Sequence, residues 1–358
     1  MAKYQKVIDW ITENIDSGKL LPGEKLPSEN DLCLMFDLSR QTIRHALSQM
    51  AEEGLVESRQ GSGTYVADQR AEDGKRSVIA VATTYVDDYI FPSTIKGIER
   101  RLSEKGYSMQ LSFTDNKVMR EREILQDLLG RNDVAGLIME PVKSALPNPN
   151  MDLYRKLGEK KVRILFINSF YPELDFPHVS IDDSECAYRA TRALIDAGHK
   201  HIGCVLKLDD GQGRERYRGY LKAINDAGLE FSYDHVNWID TIDLKNGRAS
   251  LDRAKERLKG CTAVFCYNDQ VAALLMDTLS EDGVKIPEEL SVVGMDDADI
   301  ARIGVGGVTI SSIPHPKEKL GEKAARNMIR MIHESKLPYN ATYEFAEDVI
   351  LRDSIREK

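Results

Sequence analysis

The sequence predicts a winged helix-turn-helix unit followed by an α/β region of two doubly wound lobes. Between Leu26 and Val66 two short helical patterns run into a glycine-tipped hairpin. From Val78 onward apolar strand candidates alternate with amphipathic helices, as in parallel sheets flanked by helices. This second region runs to about 280 residues, long for one sheet, so two lobes are expected.

In the head, Tyr4, Val7, Ile8, Ile11 and Ile15 share one face of a first helix, which Gly18 and Pro22-Gly23 end. Ser28 can cap a second helix starting at Glu29, and Asp31 completes a capping-box pattern. Leu32, Met35 and Phe36 form its predicted buried stripe. Ser39 is the natural cap of a third helix, in which Ile43, Ala46, Leu47 and Met50 recur at helical spacing and turn to the core. The opposite face gathers Arg40, Gln41, Arg44, His45 and Ser48. These side chains suit base edges and phosphates in a major groove. No carboxylate falls between Leu38 and Ala51, so a locally positive field is expected. A solvated face with two arginines is ordinary by itself, and the hairpin that follows gives this one its meaning. Leu55-Val56-Glu57 and Thr64-Tyr65-Val66 read as strands around Arg59-Gln60-Gly61-Ser62-Gly63. The glycines there permit positive φ and close approach of backbone N–H groups to a phosphate.

Composition narrows the class. A chain of 358 residues has room for two or three domains. Cys33, Cys186, Cys204, Cys261 and Cys266 are scattered, odd in number and without a CxxC pair, which reads as reduced thiols and neither a disulfide frame nor a zinc site. The start carries no basic run followed by an apolar stretch, and no segment approaches bilayer length, so a cytoplasmic location is expected. Net charge is −9, and residues 1–68 hold seven basic against eleven acidic side chains. A basic domain is the usual footprint of DNA binding. The expectation here is a locally positive helix and wing, with acidic surface elsewhere suppressing non-specific association.

Residues 69–77 are polar and aperiodic and read as a linker between a head at 1–68 and the region 78–358. Strand candidates then fall at 78–84, 109–113, 136–140, 164–168, 201–206, 263–269 and 290–297, with helices at Ser93 to Lys105, Glu121 to Leu129, Glu185 to Ala197, Arg214 to Asp226 and Gln270 to Asp282 among others. In doubly wound sheets a ligand sits beyond the carboxyl ends of the strands. Tyr89 and Phe91 follow the first strand, Glu140 and Lys143 the third, and Asn168 ends the fourth. Asp209, Asp210, Gln212 and Arg216 follow the fifth, while Asn268-Asp269 and Asp296-Asp297 end the last two. Carboxylate, amide and guanidinium groups with one or two aromatics suit a polyhydroxylated ligand, each of whose hydroxyls needs donors and acceptors once desolvated. Strand-end polar residues also cap helices and turns. Capping is the preferred reading for Asp269 and Asp297, and ligand contact for Asn268, Asp296 and Arg216. No catalytic residue, metal or cofactor is expected, because the seven histidines lack ligand spacing and no acid–base pair stands out. Gly211-Gln212-Gly213 and Gly304-Val305-Gly306-Gly307 lack the phosphate-binding fingerprint and read as turns.

The strings PSENDL, SRQTIRHAL, EEGL and GSGTYV together resemble the DNA-binding domain of the GntR family of bacterial repressors. The resemblance implies DNA contacts by Arg40, Gln41, Thr42 and Arg44 and by the wing residues Gln60, Gly61 and Gly63, with Glu29 and Lys3 in positioning roles. The later strings IKGIERRLSEKGY, DVAGLIMEP, RYRGYLKAI, AVFCYNDQVAALLM and LSVVGMDD resemble the effector domain of LacI/GalR-type repressors, similar in fold to periplasmic sugar-binding proteins. This implies a ligand-facing set of Arg216, Asn268 and Asp296 with Tyr89, Phe91, Glu140, Lys143 and Asn168. It also implies a homodimer, and lobe crossings near 175, 314 and 340. The combination of both parts, with TTYVDDYIFPSTIKGIE, EPVKSALPNPN and SIPHPKEKLG, resembles the arabinose-responsive repressor family. That implies repression of arabinose-utilisation genes at a palindromic, double-stranded operator, relieved by L-arabinose in the inter-lobe cleft. The same architecture serving another pentose or a nucleoside, or a sugar-binding protein without a regulatory role, remains open at this point.

Overall fold

The computed structural model describes residues 4–16, 19–21, 23–52, 55–59, 62–67, 77–86, 89–333 and 340–358. The head consists of α1 (Gln5–Asp16), α2 (Glu29–Phe36), α3 (Arg40–Glu52), β1 (Val56–Arg59) and β2 (Gly63–Val66). The strands pair antiparallel, Val56 opposite Val66 and Arg59 opposite Gly63. Ser28 and Asp31 close a reciprocal capping box at the start of α2. Ile43, Ala46, Leu47 and Met50 are buried against Val7, Ile8, Ile11, Leu26 and Leu32 in one small core. Met35 departs from the expected stripe and is 52% exposed. Leu32, Cys33 and Phe36 take the inner face instead, and at about 100° per residue Met35 points roughly that far from the centre of the face.

The first lobe begins with β3 (Val78–Thr83), α4 (Phe91–Glu104), β4 (Ser108–Phe113) and α5 (Val118–Gly130). It continues with β5 (Val134–Met139), α6 (Met151–Glu159), β6 (Arg163–Ile167) and β7 (His178–Ile181). The chain then enters the second lobe through α7 (Asp183–Asp196), β8 (Ile202–Lys207), α8 (Gly211–Asp226) and β9 (Val236–Ile239). There follow α9 (Thr241–Asn246), α10 (Asp252–Arg257), β10 (Ala263–Cys266), α11 (Asp269–Glu281), β11 (Ser291–Asp296), α12 (Asp299–Ile303) and β12 (Ser311–Pro314). It returns to the first lobe for α13 (Lys317–His333) and β13 (Tyr343–Phe345), then ends along the second, where Ile350 bridges to Ser312.

The two sheets run β13-β7-β6-β5-β3-β4 and β12-β11-β10-β8-β9. Their strands pair in parallel. β5, β8 and β11 are buried along their whole length, which explains their unbroken apolar runs. β7, β9, β12 and β13 fall outside the strands expected from sequence. At three or four residues each they are too short to show a period, and they lie at or next to sheet margins. In the first lobe α4 and α13 meet backbone to backbone: a Cβ on Gly97 would sit 2.3 Å from the Glu318 carbonyl oxygen. Helix α13, from near the C-terminus, is thereby clamped onto the lobe built from residues 78–181.

Candidate DNA-reading face and inter-lobe ligand site

On α3, Arg40, Gln41, Arg44, His45 and Ser48 are exposed while the opposite stripe is buried. Thr42 is half-buried, and its N–H donates to the Ser39 hydroxyl at 3.3 Å, tying the first turn of the helix. Glu29, from the start of α2, accepts from Arg40 Nε at 2.7 Å and from Arg44 Nε at 2.9 Å. Hydrogen bonds from Arg44 and then Arg40 hold its carboxyl below the usual range. This corrects the expected field: a carboxylate absent from the local sequence is delivered to the recognition arginines by helix packing. The clamp engages each Nε, so each guanidinium keeps its terminal nitrogens for a further acceptor and a reduced choice of orientations. In the hairpin Gly63 takes φ 120°, and Arg59 stacks 4.3 Å from the Tyr65 ring. Lys3, Gln60 and Gly61 lie outside the described residues.

Between the carboxyl ends of the two sheets lies a cavity of about 430 Å³. Of the residues expected to face a ligand, Tyr89, Phe91, Glu140, Arg216, Asn268 and Asp296 line it; Lys143 and Asn168 do not. Arg216, 1% exposed, donates from Nε to Asp183 at 2.8 Å and from Nη1 to the Tyr267 carbonyl, and its Nη2 lies 3.7 Å from Asp296 Oδ1. Its guanidinium stacks 4.5 Å from the centre of the Tyr267 ring. Burial works against this charge, but Asp183 and Asp296 outweigh it and raise the Arg216 pKa. Burial in turn pushes Asp183 up to about 7 against the pull of the arginine. One guanidinium thus serves two buried carboxylates. Asp296 Oδ1 has no hydrogen-bond donor among the described residues, so a ligand hydroxyl would satisfy it.

In the first lobe Glu140 accepts from the Thr84 N–H at 2.7 Å, the Thr84 hydroxyl at 2.6 Å and Asn168 Nδ2 at 2.8 Å. Burial raises its pKa, and the Thr84 and Asn168 bonds oppose that rise. Asn168 therefore holds a carboxylate of the wall. Lys143 stands 3.8 Å from Asp209 of the other lobe. Asn268 combines both roles weighed for it: its side chain caps α11 by accepting from the Val271 N–H at 3.0 Å, and it lines the cavity. Asp269 accepts from Ala298 N and Ser312 Oγ, and Asp297 pairs with Arg302 and Arg352; neither lines the cavity. Tyr89, Asn116, Lys143, Asn168 and Asp296 all hold positive φ. Non-glycine residues enter that region at a cost of about 1–3 kcal/mol each, and such strain gathers at functional sites.

Sequence reasoning missed Thr84, Lys207, Thr241 and Tyr267, which also line the cavity. Lys207 is buried and donates to Asp210 at 2.6 Å. Burial disfavours its charge, and Asp210 and Asp209 more than restore it. A lysine ending an otherwise apolar strand three residues before an aspartate was the available signal.

Hydrogen bonds cross between the lobes around this cavity. The Tyr89 hydroxyl donates to Asp296 Oδ2 at 2.6 Å. Asn116 Nδ2 donates to Thr241 Oγ1 at 2.8 Å, and the Gly211 N–H donates to Ser144 Oγ at 2.8 Å. Among the described residues no cluster of histidine, cysteine or carboxylate is arranged to hold a metal ion. No helix among them is long and apolar enough to cross a membrane.

Residues 3–66 match the gntR family of bacterial regulatory proteins, and residues 191–355 match the periplasmic binding protein-like domain. The chain is 36% identical to the arabinose metabolism transcriptional repressor of Geobacillus stearothermophilus, over 99% of this chain and 96% of that one. It is 36% identical to the repressor of the same name from Halalkalibacterium halodurans, over 99% and 97%. In fold it is similar to the transcription regulator CcpA of Lactococcus lactis, with a TM-score of 0.69 at 23% identity, covering 78% of this chain and all of that one. It is also similar to the transcriptional regulator CelR in complex with cellobiose, at 0.68 and 23%, covering 88% and 90%. The chain thus joins a gntR-type DNA-binding head to a periplasmic binding protein-like domain. With such identity over nearly its full length, the chain belongs to the family of arabinose metabolism transcriptional repressors.

Proposed function

We propose that this protein is a cytoplasmic homodimer that represses arabinose-utilisation genes at a palindromic operator and is released when L-arabinose binds between its lobes. Arg40, Gln41, Thr42 and Arg44 of α3, with Gln60, Gly61 and Gly63 of the wing and Lys3, contact the operator, and Glu29 orients the two arginines. Tyr89, Phe91, Glu140, Arg216, Asn268 and Asp296 surround the sugar, and Asn168 and Lys143 position the wall.

The observation that carries this reading is the cavity chemistry. At about 430 Å³ it sits toward the small end of ligand pockets, roughly 300–1,000 Å³. It offers buried carboxylates, one of them with an unmet acceptor, beside a guanidinium, a lysine and an amide. Such a set suits an uncharged, hydroxyl-rich ring. A dimer with two heads would read half-sites on a two-fold operator. In the first lobe the edge strand β4 and the following helix expose Leu111, Phe113 and Met119, an apolar margin that a second copy would cover.

The test is titration of the purified protein on a labelled palindrome with L-arabinose, D-xylose, D-ribose and a nucleoside, with sedimentation to report the oligomer. Release by L-arabinose at the lowest concentration is expected. Release by another ligand while L-arabinose is inert would overturn the effector assignment and leave the regulator standing.

A further inference from the structure

The ligand cavity has a neighbour on the hinge side, a second cavity of about 260 Å³. The two share Ser144, Ser169 and Gln212. The partition between them is thin and entirely polar. Ser144 Oγ lies 2.9 Å from Ser169 Oγ and accepts the Gly211 N–H at 2.8 Å. Alongside, the Ala145 N–H donates to the Asp209 carbonyl at 3.3 Å, and the Gln212 amide oxygen is held by the Tyr267 hydroxyl at 3.2 Å. Ser144 and Ser169 come from the first lobe and Gly211 from the second, so the partition exists only when the lobes are together. It has no slack: a Cβ on Gly211 would meet Ser169 Oγ at 3.0 Å and Ser144 Oγ at 3.2 Å.

We infer that Ser144, Ser169 and Gly211 form a size-limiting wall, which restricts the effector to a single sugar ring and rejects a sugar extended by a second ring. This rests on the sugar reading of the cavity and adds a boundary to it. Ser144 and Ser169 share one hydrogen bond in which either hydroxyl can donate, so one of the two hydroxyl hydrogens is left to turn to a ring oxygen. The wall therefore both ends the site and contributes to it. Beyond it the second cavity holds Asp182, Asp183, Glu215 and Glu344 with Arg214 and Arg218; Arg218 pairs with Glu215 and Arg216 with Asp183, which leaves Asp182 and Glu344 against Arg214. A sugar phosphate reaching that side would meet excess negative charge, whereas a neutral second ring would meet only the wall. The wall thus adds to the proposed effector site a boundary against a second ring.

The test is calorimetric titration of the full chain with L-arabinose, D-xylose, arabinobiose, xylobiose and a pentose phosphate. The same panel is applied to Ser144→Gly with Ser169→Gly and, separately, to Gly211→Ala, each variant checked for an unchanged far-ultraviolet dichroism spectrum. The wild type is expected to bind a monosaccharide at least about a hundredfold more tightly than its disaccharide. In the double glycine variant that ratio falls below about tenfold, and the phosphate stays excluded. In Gly211→Ala, where helix propensity favours folding, the added methyl wedges the wall. The monosaccharide then dissociates about tenfold faster, and discrimination shrinks. Equal binding of monosaccharide and disaccharide by the wild type overturns the wall while leaving the sugar reading intact. So does unaltered discrimination in both variants. Failure of every sugar to bind the wild type defeats the sugar reading, and the wall with it.

Discussion

Tyr89→Phe probes the coupling between ligand and lobe closure. The Tyr89 hydroxyl donates to Asp296 Oδ2 at 2.6 Å, joining residues 207 positions apart and on opposite lobes. Burial, with Asp296 adding to it, pushes the Tyr89 pKa well above its ordinary value, so the group remains a donor at any working pH. Phenylalanine keeps the ring and removes only the hydroxyl. Among the described residues Asp296 Oδ1 already lacks a donor, so the substitution leaves Oδ2 short as well. A hydrogen bond to a charged group contributes about 1.5–3 kcal/mol, and its loss weakens the joined-lobe arrangement by about tenfold to a hundredfold. Fluorescence anisotropy of a labelled operator during sugar titration reads the effect. Half-release should need about ten to a hundred times more sugar, with operator affinity in its absence unchanged. A half-release point within about twofold of wild type would refute the reasoning and reduce this contact to a passive neighbour of the site.

Glu29→Ala should loosen the Arg40 and Arg44 side chains and raise affinity for unrelated duplex, lowering the operator-to-unrelated ratio about tenfold and steepening the salt dependence. Equal ratios across a salt series would refute the clamp. Glu121, fully buried, accepts from the Tyr154 and Tyr171 hydroxyls at 2.7 Å and from the amides of Asn148 and Asn150 at 2.6 and 2.8 Å. Glu121→Ala takes the printed acceptor from the buried Tyr154 hydroxyl and one of two from Tyr171, Asn148 and Asn150, so the urea midpoint should fall by an amount equivalent to about 2 kcal/mol; an unchanged midpoint counts against that network. Asp269 is pushed up to about 8 by burial, with Asp296 adding to it. The native state therefore binds its proton more tightly than the unfolded chain does. This stabilisation is complete below about pH 4 and lost as pH rises through about 8. Asp269→Asn should flatten the decline of the urea midpoint across that window, and parallel profiles for the two proteins would exclude Asp269 as its source.

The reading head was legible because its signals are local. The Ser28 capping box, the spacing of Ile43, Ala46, Leu47 and Met50, and the glycine-tipped hairpin depend on residues within a few positions of one another. The lobes were legible through their buried central strands, while the short marginal strands carried too few residues to show a period. Strand ends could be read as candidate ligand contacts for the same reason that Asn268 and Asp296 stand out, being polar groups that close an apolar run. Which strand ends share one cavity was not readable. Lys143 turns to Asp209 and Asn168 to Glu140, whereas Lys207 and Tyr267 enter the cavity.

Sequence by itself determined the elements of the head, the central strands of the lobes, the basic residues of α3 and the family. Only the tertiary structure decided that Glu29 restrains both recognition arginines, that Tyr89 meets Asp296, and that Ser144 closes on Gly211. The physical reason is range. Helix and strand periodicity follow from neighbouring residues, but these contacts arise where separate elements pack, and their hydrogen bonds gain strength from a burial that no local pattern records.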